Sequence, residues 1–137
     1  MAASPSQHPQ KKPSPAPAVS VVGVARARYL RGSTHKTREV ARLIRKRTVT
    51  QALAILAATN KRPARSLSDI VKSATANALR QYPQLTEGTL SIARIVVDDG
   101  PMWKRFRAAA MGRATRIRKR TSHITVEIAG RQPEARS

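Results

Sequence analysis

Trp103, Lys104, Arg105, Phe106 and Arg107 stand in unbroken succession, and Arg113, Arg116, Arg118, Lys119 and Arg120 follow in the same acid-free stretch between Asp99 and Glu127. The chemistry open to such a set is not proton transfer. Guanidinium and ammonium groups neutralise phosphates, and an aromatic ring set among them stacks on an unpaired base. The residues that catalysis would need are badly placed for it. Asp98 and Asp99 are adjacent, so on a strand they face opposite ways and cannot converge as an acid and a base; turn positions and hydrogen-bond acceptance suit them better. His8, His35 and His123 fall in three separate segments with no ligand spacing among them. The six glycines build no phosphate-cradling loop. The expectation is a binding protein with no catalytic residues, no cofactor and no metal.

The whole chain shares this charge bias. It has 27 Lys+Arg against 7 Asp+Glu, a net charge of +20. A compact domain carrying that excess repels itself, so a polyanion is the natural partner. At 137 residues the chain fits one small domain. Cysteine is absent, which rules out disulfides and thiolate metal sites and is compatible with a reducing compartment. No apolar run approaches the length of a membrane span, and the N-terminus lacks the apolar core of a secretory signal. Residues 1–20 hold five of the nine prolines and contain lysine but no arginine. They read as a disordered Pro/Lys-rich extension, not an amphipathic targeting helix, with Lys11 and Lys12 available for an extra RNA contact. Residues 131–137 read as a flexible tail.

The elements that must position the cations can be read from periodicity. Residues 21–31 alternate, placing Ala25, Ala27 and Tyr29 on a buried face and Arg26 and Arg28 on a cationic one. Residues 33–47 turn helical, with Ser33 as N-cap and an apolar stripe of Val40, Leu43 and Ile44. Thr48 and Gln51 form a capping-box pattern that opens a second helix over 48–59, which packs through Leu53, Leu56 and its alanines. Pro63 suits the first turn of a third helix, residues 64–82, with Leu67, Ile70, Val71, Ala74 and Ala78 on one face and Pro83 beyond its end. Residues 90–97 and 122–128 read as strands, the latter with Ile124, Val126 and Ile128 inside and His123, Thr125 and Glu127 outside. The fold class is α+β: three helices packed on a small three-stranded antiparallel sheet, with the last two strands paired.

A long protruding β-hairpin, at about 98–122, then follows from continuity. Its tip falls near Ala109, Ala110, Met111 and Gly112. If both strands simply continue outward, each arm of about a dozen residues reaches about 40 Å. Alternation puts cations on both faces, and burying either against a protein core would cost several kcal/mol per ion. Such an arm has no protein core of its own and would gain its shape by threading between phosphates. Trp103 and Phe106, the chain's single Trp and single Phe, are placed to touch bases or sugars; the plain alternative has Trp103 folded back on its own hairpin. The competing binding classes are an architectural DNA ribbon, which needs a dimer interface for which no spare apolar stripe is visible, and a membrane-surface helix, which needs large apolar residues opposite its lysines.

The segment "VDDGPMWKRF…GRATRIRKRTSHITVEI", residues 97–128, resembles the hairpin and last strand of the bacterial-type large-subunit ribosomal protein twenty-two family. Three blocks upstream agree in order: "ARARYLRGSTHKTREVARLIR" (25–45), "QALAILAATNK" (51–61) and "SATANA" (73–78). The resemblance spans roughly residues 21–130. It implies the fold just derived, binding to large-subunit rRNA, a part in assembling the subunit, and a hairpin lining the nascent-peptide exit tunnel, where its tip influences macrolide sensitivity and stalling. The candidate RNA contacts are then Arg26, Arg28 and Arg31; Lys36, Arg38 and Arg45; Lys61 and Arg62; and Lys104, Arg105, Arg107, Arg113, Arg116, Arg118, Lys119 and Arg120. The candidate tunnel-wall residues are Trp103, Lys104, Arg105, Phe106, Ala109, Met111 and Gly112. Implied partners are the rRNA, neighbouring large-subunit proteins and the passing nascent peptide. The chain would sit as a monomer in a cytoplasmic ribosome, away from any membrane. One departure stands out: where the family commonly has Pro-Arg-Ala before the tip, this chain has Ala108, Ala109 and Ala110. That removes a charge at Ala109, which Arg107 and Arg113 flank.

Overall fold

A computed structural model describes residues 20–130; the rest of the Pro/Lys-rich extension and the C-terminal tail lie outside the described residues. The elements run β1 (Ser20–Arg31), α1 (Thr34–Ile44), α2 (Val49–Ala58), α3 (Arg62–Gln81), β2 (Leu90–Asp99), β3 (Trp103–Ala108), β4 (Ala114–Lys119) and β5 (Thr121–Gly130). The main sheet has the order β1-β5-β2, antiparallel throughout, and β3 pairs with β4 in a separate two-stranded sheet. This is the α+β arrangement expected from the sequence, with the last strand between the other two.

The core is built from the predicted apolar positions with few exceptions. Ile124, Val126 and Ile128 of β5 are buried, and His123, Thr125 and Glu127 alternate with them as half-buried residues. Leu67, Ile70, Val71, Ala74 and Ala78 are buried along α3. Small residues there let the helix lie close to the sheet. A Cβ on Gly23 of β1 would meet the Ala74 carbonyl and the Ala78 Cβ, both at 2.6 Å. Asn77 of the same helix donates to the Val24 carbonyl, 3.0 Å away. Thr48 caps α2 as its pattern indicates, accepting from the Gln51 amide at 3.4 Å.

Three residues depart from their sequence assignments. Leu43 is exposed, because the buried stripe of α1 runs through Thr34, Thr37, Val40, Ala41 and Ile44 instead. Ser33 is the N-cap residue by backbone, yet its side chain makes no cap bond; its carbonyl accepts from both the Thr37 amide and the Thr37 hydroxyl. Alternation puts Tyr29 on the core face, but the residue is 65% exposed. The β1–β5 register slips between Ala27, opposite Ile124, and Leu30, opposite Ser122. Arg28 and Tyr29 therefore share a single partner position, His123, in a β-bulge. The extra residue hands the inward position to Leu30, which packs against the core.

The hairpin is not a plain prolongation of β2 and β5. Gly100, Pro101 and Met102 interrupt the outgoing arm and Arg120 the returning one. Regular pairing then covers six residues per arm, from Trp103 opposite Lys119 to Ala108 opposite Ala114, or about 20 Å. The joint is nevertheless fastened. The Gly100 amide donates to the Thr121 carbonyl at 2.9 Å, and the Gly32 amide to the Arg120 carbonyl at 3.2 Å. The Thr121 hydroxyl donates to the Pro101 carbonyl. The tip turns through Ala110–Gly112, as expected, with Met111 and Gly112 both at positive φ.

Two glycines make stability tests. Gly23→Ala forces α3 away from β1 and is expected to cost about 1–3 kcal/mol in urea unfolding, whereas Gly88→Ala, with open space around it, should be close to neutral. At Gly100 an added Cβ would stand 2.5 Å from the Thr121 hydroxyl oxygen. Gly100→Ala should therefore break the Thr121–Pro101 bond, cost about 1–2 kcal/mol, and speed hydrogen exchange at the residue 100 amide.

Candidate nucleic-acid interface

The hairpin presents cations in both directions. Cross-strand partners share a face, so the register puts Trp103, Arg105 and Arg107 beside Lys119, Ile117 and Thr115 on one side. Lys104, Phe106 and Ala108 stand beside Arg118, Arg116 and Ala114 on the other. Every residue of β3 and β4 is exposed except Ile117, which is half-buried. Phe106 is 69% exposed and Met111, at the tip, 94%. Ala109, Gly112 and Arg113 complete the exposed tip. Beyond Trp103 at the root, neither face packs on the globular part, as the alternation of charge required.

Trp103 has a partner that the sequence did not reveal. The Arg31 guanidinium, at the end of β1, lies 5.0 Å from the centroid of its ring, within cation–π range. The ring is thus held at the root of the arm against the globular domain and still remains half-exposed. The same root forms a concavity lined by Arg31, Gly32, Ser33, Arg62, Arg118, Lys119 and Arg120. Strand β1, helix α3 and the β4–β5 junction each contribute cations, and no acid lines the hollow. Only the fold brings Arg31 and Arg62 to the hairpin's base.

A second cationic groove runs between α1 and the β2 edge, lined by Arg38, Arg42, Arg45 and Arg94 together with apolar β2 residues. Arg42 and Arg94 were not among the sequence candidates. Arg42 follows Arg38 at the four-residue helical spacing that puts both on one side, a signal present in the sequence. Arg94 follows a β2 bulge between Ile92 and Arg94, which no local pattern announced. Lys36 and Arg45 are exposed on α1, and Arg26 and Arg28 on β1.

Two predicted cations, Arg38 and Lys61, are paired with acids of the protein. Arg38 donates through Nε to the Val97 carbonyl at 3.0 Å, and its Nη2 lies 3.7 Å from the Asp99 carboxylate. Asp99 also accepts from the Thr34 hydroxyl. It therefore ties the start of α1 to the end of β2, the acceptor role expected of it. Lys61 pairs with Glu39 at 3.0 Å. Hydrogen bonding from Lys61, and then its charge, hold the Glu39 carboxyl below its usual pKa. Stability from that pair is present above the ordinary carboxylate pKa and is lost as pH falls through the lowered one. Being exposed, the pair contributes little. Among the described residues no group of three or more His, Asp or Glu could hold a metal, and no helix is long and apolar enough to cross a membrane.

These features agree with comparisons to known proteins. The chain is 48% identical over 105 residues to the large ribosomal subunit protein uL22 of Nitratidesulfovibrio vulgaris (strain DP4), covering 77% of this chain and 93% of that protein. Against the uL22 of Rubrobacter xylanophilus the identity is 49% over 102 residues, covering 74% of this chain and 80% of the relative. Against that of Desulfitobacterium hafniense (strain Y51) it is 48% over 102 residues, 74% of this chain and 89% of the relative. The profile of the family described as "Ribosomal protein L22p/L17e" matches residues 25–129, from the middle of β1 to the last residues of β5. With its helices, its cationic hairpin and most of its sheet inside that match, the chain belongs to the ribosomal protein L22p/L17e family.

Proposed function

We propose that this chain is a structural, non-catalytic component of the large ribosomal subunit, that it binds large-subunit rRNA and supports assembly of the subunit, and that its hairpin lines the nascent-peptide exit tunnel of a cytoplasmic ribosome. The observation that carries the reading is the β3–β4 arm: two paired strands with cations on both faces and no protein packed on either beyond the Arg31–Trp103 contact at the root. A free two-stranded ribbon is marginal in water. Phosphates on both sides would supply what a core supplies elsewhere, by neutralising Lys104, Arg105, Arg107, Arg113, Arg116, Arg118, Lys119 and Arg120. The concavity at the root and the α1–β2 groove extend the same surface onto the globular part, through Arg31, Arg62, Arg45 and their neighbours. Family membership supports the partners: rRNA and neighbouring large-subunit proteins.

The tunnel-wall reading concerns the tip. Trp103 at the root and Met111 at the end are the large apolar side chains a passing peptide would meet, together with Phe106. The Ala108-Ala109-Ala110 sequence makes the tip smaller and less charged than the Pro-Arg-Ala form common in the family. Any macrolide or stalling response would then rest on Trp103, Lys104 and Arg105 more than on residue 109.

Binding of the purified chain to protein-free large-subunit rRNA should weaken steeply between low and moderate salt, because each phosphate contact releases counterions. Replacing Arg116, Arg118 and Arg120 together by Gln should lower the log–log salt slope by about 2–3. The same change should leave unfolding stability within about 0.5 kcal/mol of wild type, as for exposed positions. A salt-independent affinity, or a large loss of stability, would contradict phosphate threading. Trypsin should cut within residues 100–120 of the free protein and leave them intact in the assembled subunit; equal protection in both states would mean the arm does not depend on RNA.

A further inference from the structure

The β1 bulge has features that packing alone does not account for. Tyr29 adopts φ 56, a left-handed conformation uncommon for a bulky side chain, and such strain gathers at functional positions. What it accomplishes is to take a large ring out of the core-facing series and leave it 65% exposed. The bulge is held by a specific bond: the Tyr29 amide donates to His123 Nδ1 at 3.0 Å. With Nδ1 accepting, a neutral imidazole carries its proton on Nε2 and offers it as a donor. The two rings meet edge-on, at 86° with centroids 4.8 Å apart. That contact steadies Tyr29 and leaves at least one face of its ring uncovered by His123. Around them lies a hollow of about 290 Å³ whose lining includes Arg26, Arg28, Tyr29, His123 and Asp98.

We propose that this hollow is a subsite for one unpaired RNA nucleotide, separate from the hairpin, with the base stacked on Tyr29. The aromatic face, two guanidiniums and a ring N–H are the groups that recognise a splayed-out nucleotide. Arg26 and Arg28 take the flanking phosphates. His123 Nε2–H donates to a base or sugar oxygen. Asp98, on the same wall as His123 because the two are register partners, accepts from an exocyclic amine. That combination favours adenine, cytosine or guanine over uracil, whose Watson–Crick edge carries no amine. The subsite rests on the RNA-binding reading given above and deepens it by naming a nucleotide contact on the globular domain.

The test separates ring from backbone. Asn tolerates the left-handed region better than Tyr, so Tyr29→Asn should keep or raise the melting temperature while removing the stack. Binding of the full-length chain to protein-free large-subunit rRNA is measured by filter retention over a salt series. Tyr29→Asn is expected to lower affinity about five- to tenfold, as for loss of one base stack, without changing the salt slope; Tyr29→Phe should retain wild-type affinity. Ultraviolet crosslinking of the wild-type complex, with the attached peptide identified by mass spectrometry, should place a nucleotide on Tyr29 or His123. Wild-type affinity in Tyr29→Asn overturns the subsite, and so does an affinity loss matched by a lower melting temperature with no crosslink at either residue. The arginine triple variant separates the two levels. If it loses affinity and Tyr29→Asn does not, only the subsite fails; if neither loses affinity, the RNA-binding reading fails with it.

Discussion

Strand β5 is hydrogen-bonded on both sides, to β1 and to β2, and the remaining architecture depends on its regularity. Its apolar residues alternate without interruption from Ile124 to Ile128, and it contains no bulge of its own. The three register slips in the sheet all insert the extra residue into a partner: Val22 and the Arg28–Tyr29 pair in β1, and Ala93 in β2. A strand buried on one face and paired on both edges cannot shift by one residue without turning its whole apolar set outward. Its edge partners can, because each has a free side to absorb the extra residue. The irregular, chemically interesting positions therefore lie on the edges, while β5 fixes where they are.

Charge is partitioned by the same logic. The buried positions hold apolar side chains, threonines and one serine, and no charged residue among those described. The excess positive charge is left on the surface, where water and counterions screen it. The two ion pairs among the described residues stand at joints: Arg38–Asp99 between α1 and the end of β2, and Lys61–Glu39 between α1 and the start of α3. Both are exposed, so their value is in alignment more than in energy. Two of the acids, Glu39 and Asp99, serve at joints, and the hairpin strands and the two grooves contain none. The hollow at the hairpin root and the α1–β2 groove, free of acids in their lining, are arranged for anions from elsewhere.

What the sequence disclosed, and what it withheld, follows from how far each effect reaches along the chain. The α3 face, the β5 alternation, the Thr48 cap and the reversal at Ala110–Gly112 are local: each depends on residue types within a turn or two. The two-faced charge of the hairpin was legible for the same reason, since period-two alternation needs no knowledge of the partner. Tyr29 escapes the alternation because a bulge is decided by the strand opposite, and His123 lies far away in sequence at the position that receives the Tyr29 amide. Leu43 lies outside the buried stripe of α1, which takes in Thr34 and Thr37 although they are polar by type, their hydroxyls donating to Asp99 and to the Ser33 carbonyl. The convergence of Arg31, Arg62 and Arg118–Arg120 and the stacking of Arg31 on Trp103 are products of chain crossing, and no spacing could have shown them.

The break at Gly100–Met102 explains how a domain can carry an arm with no inside. Had β2 and β5 continued without interruption, the arm would have inherited the sheet's twist and one of its faces would have extended the core side, where cations cannot go. Pro101 lacks an amide with which to continue the ladder, and Gly100 fits against Thr121 only because it has no Cβ. Pairing stops there and resumes at Trp103 as an independent ribbon. The arm is tied to the domain at a fastened root: the Gly100, Gly32 and Thr121 hydrogen bonds and the Arg31–Trp103 stack. Orientation is set by the protein at that root. Beyond it, side chains that would each be costly inside a protein are free to be matched to phosphates. In the proposed role this division lets one short chain supply a rigid address on the rRNA surface and an adaptable wall farther in.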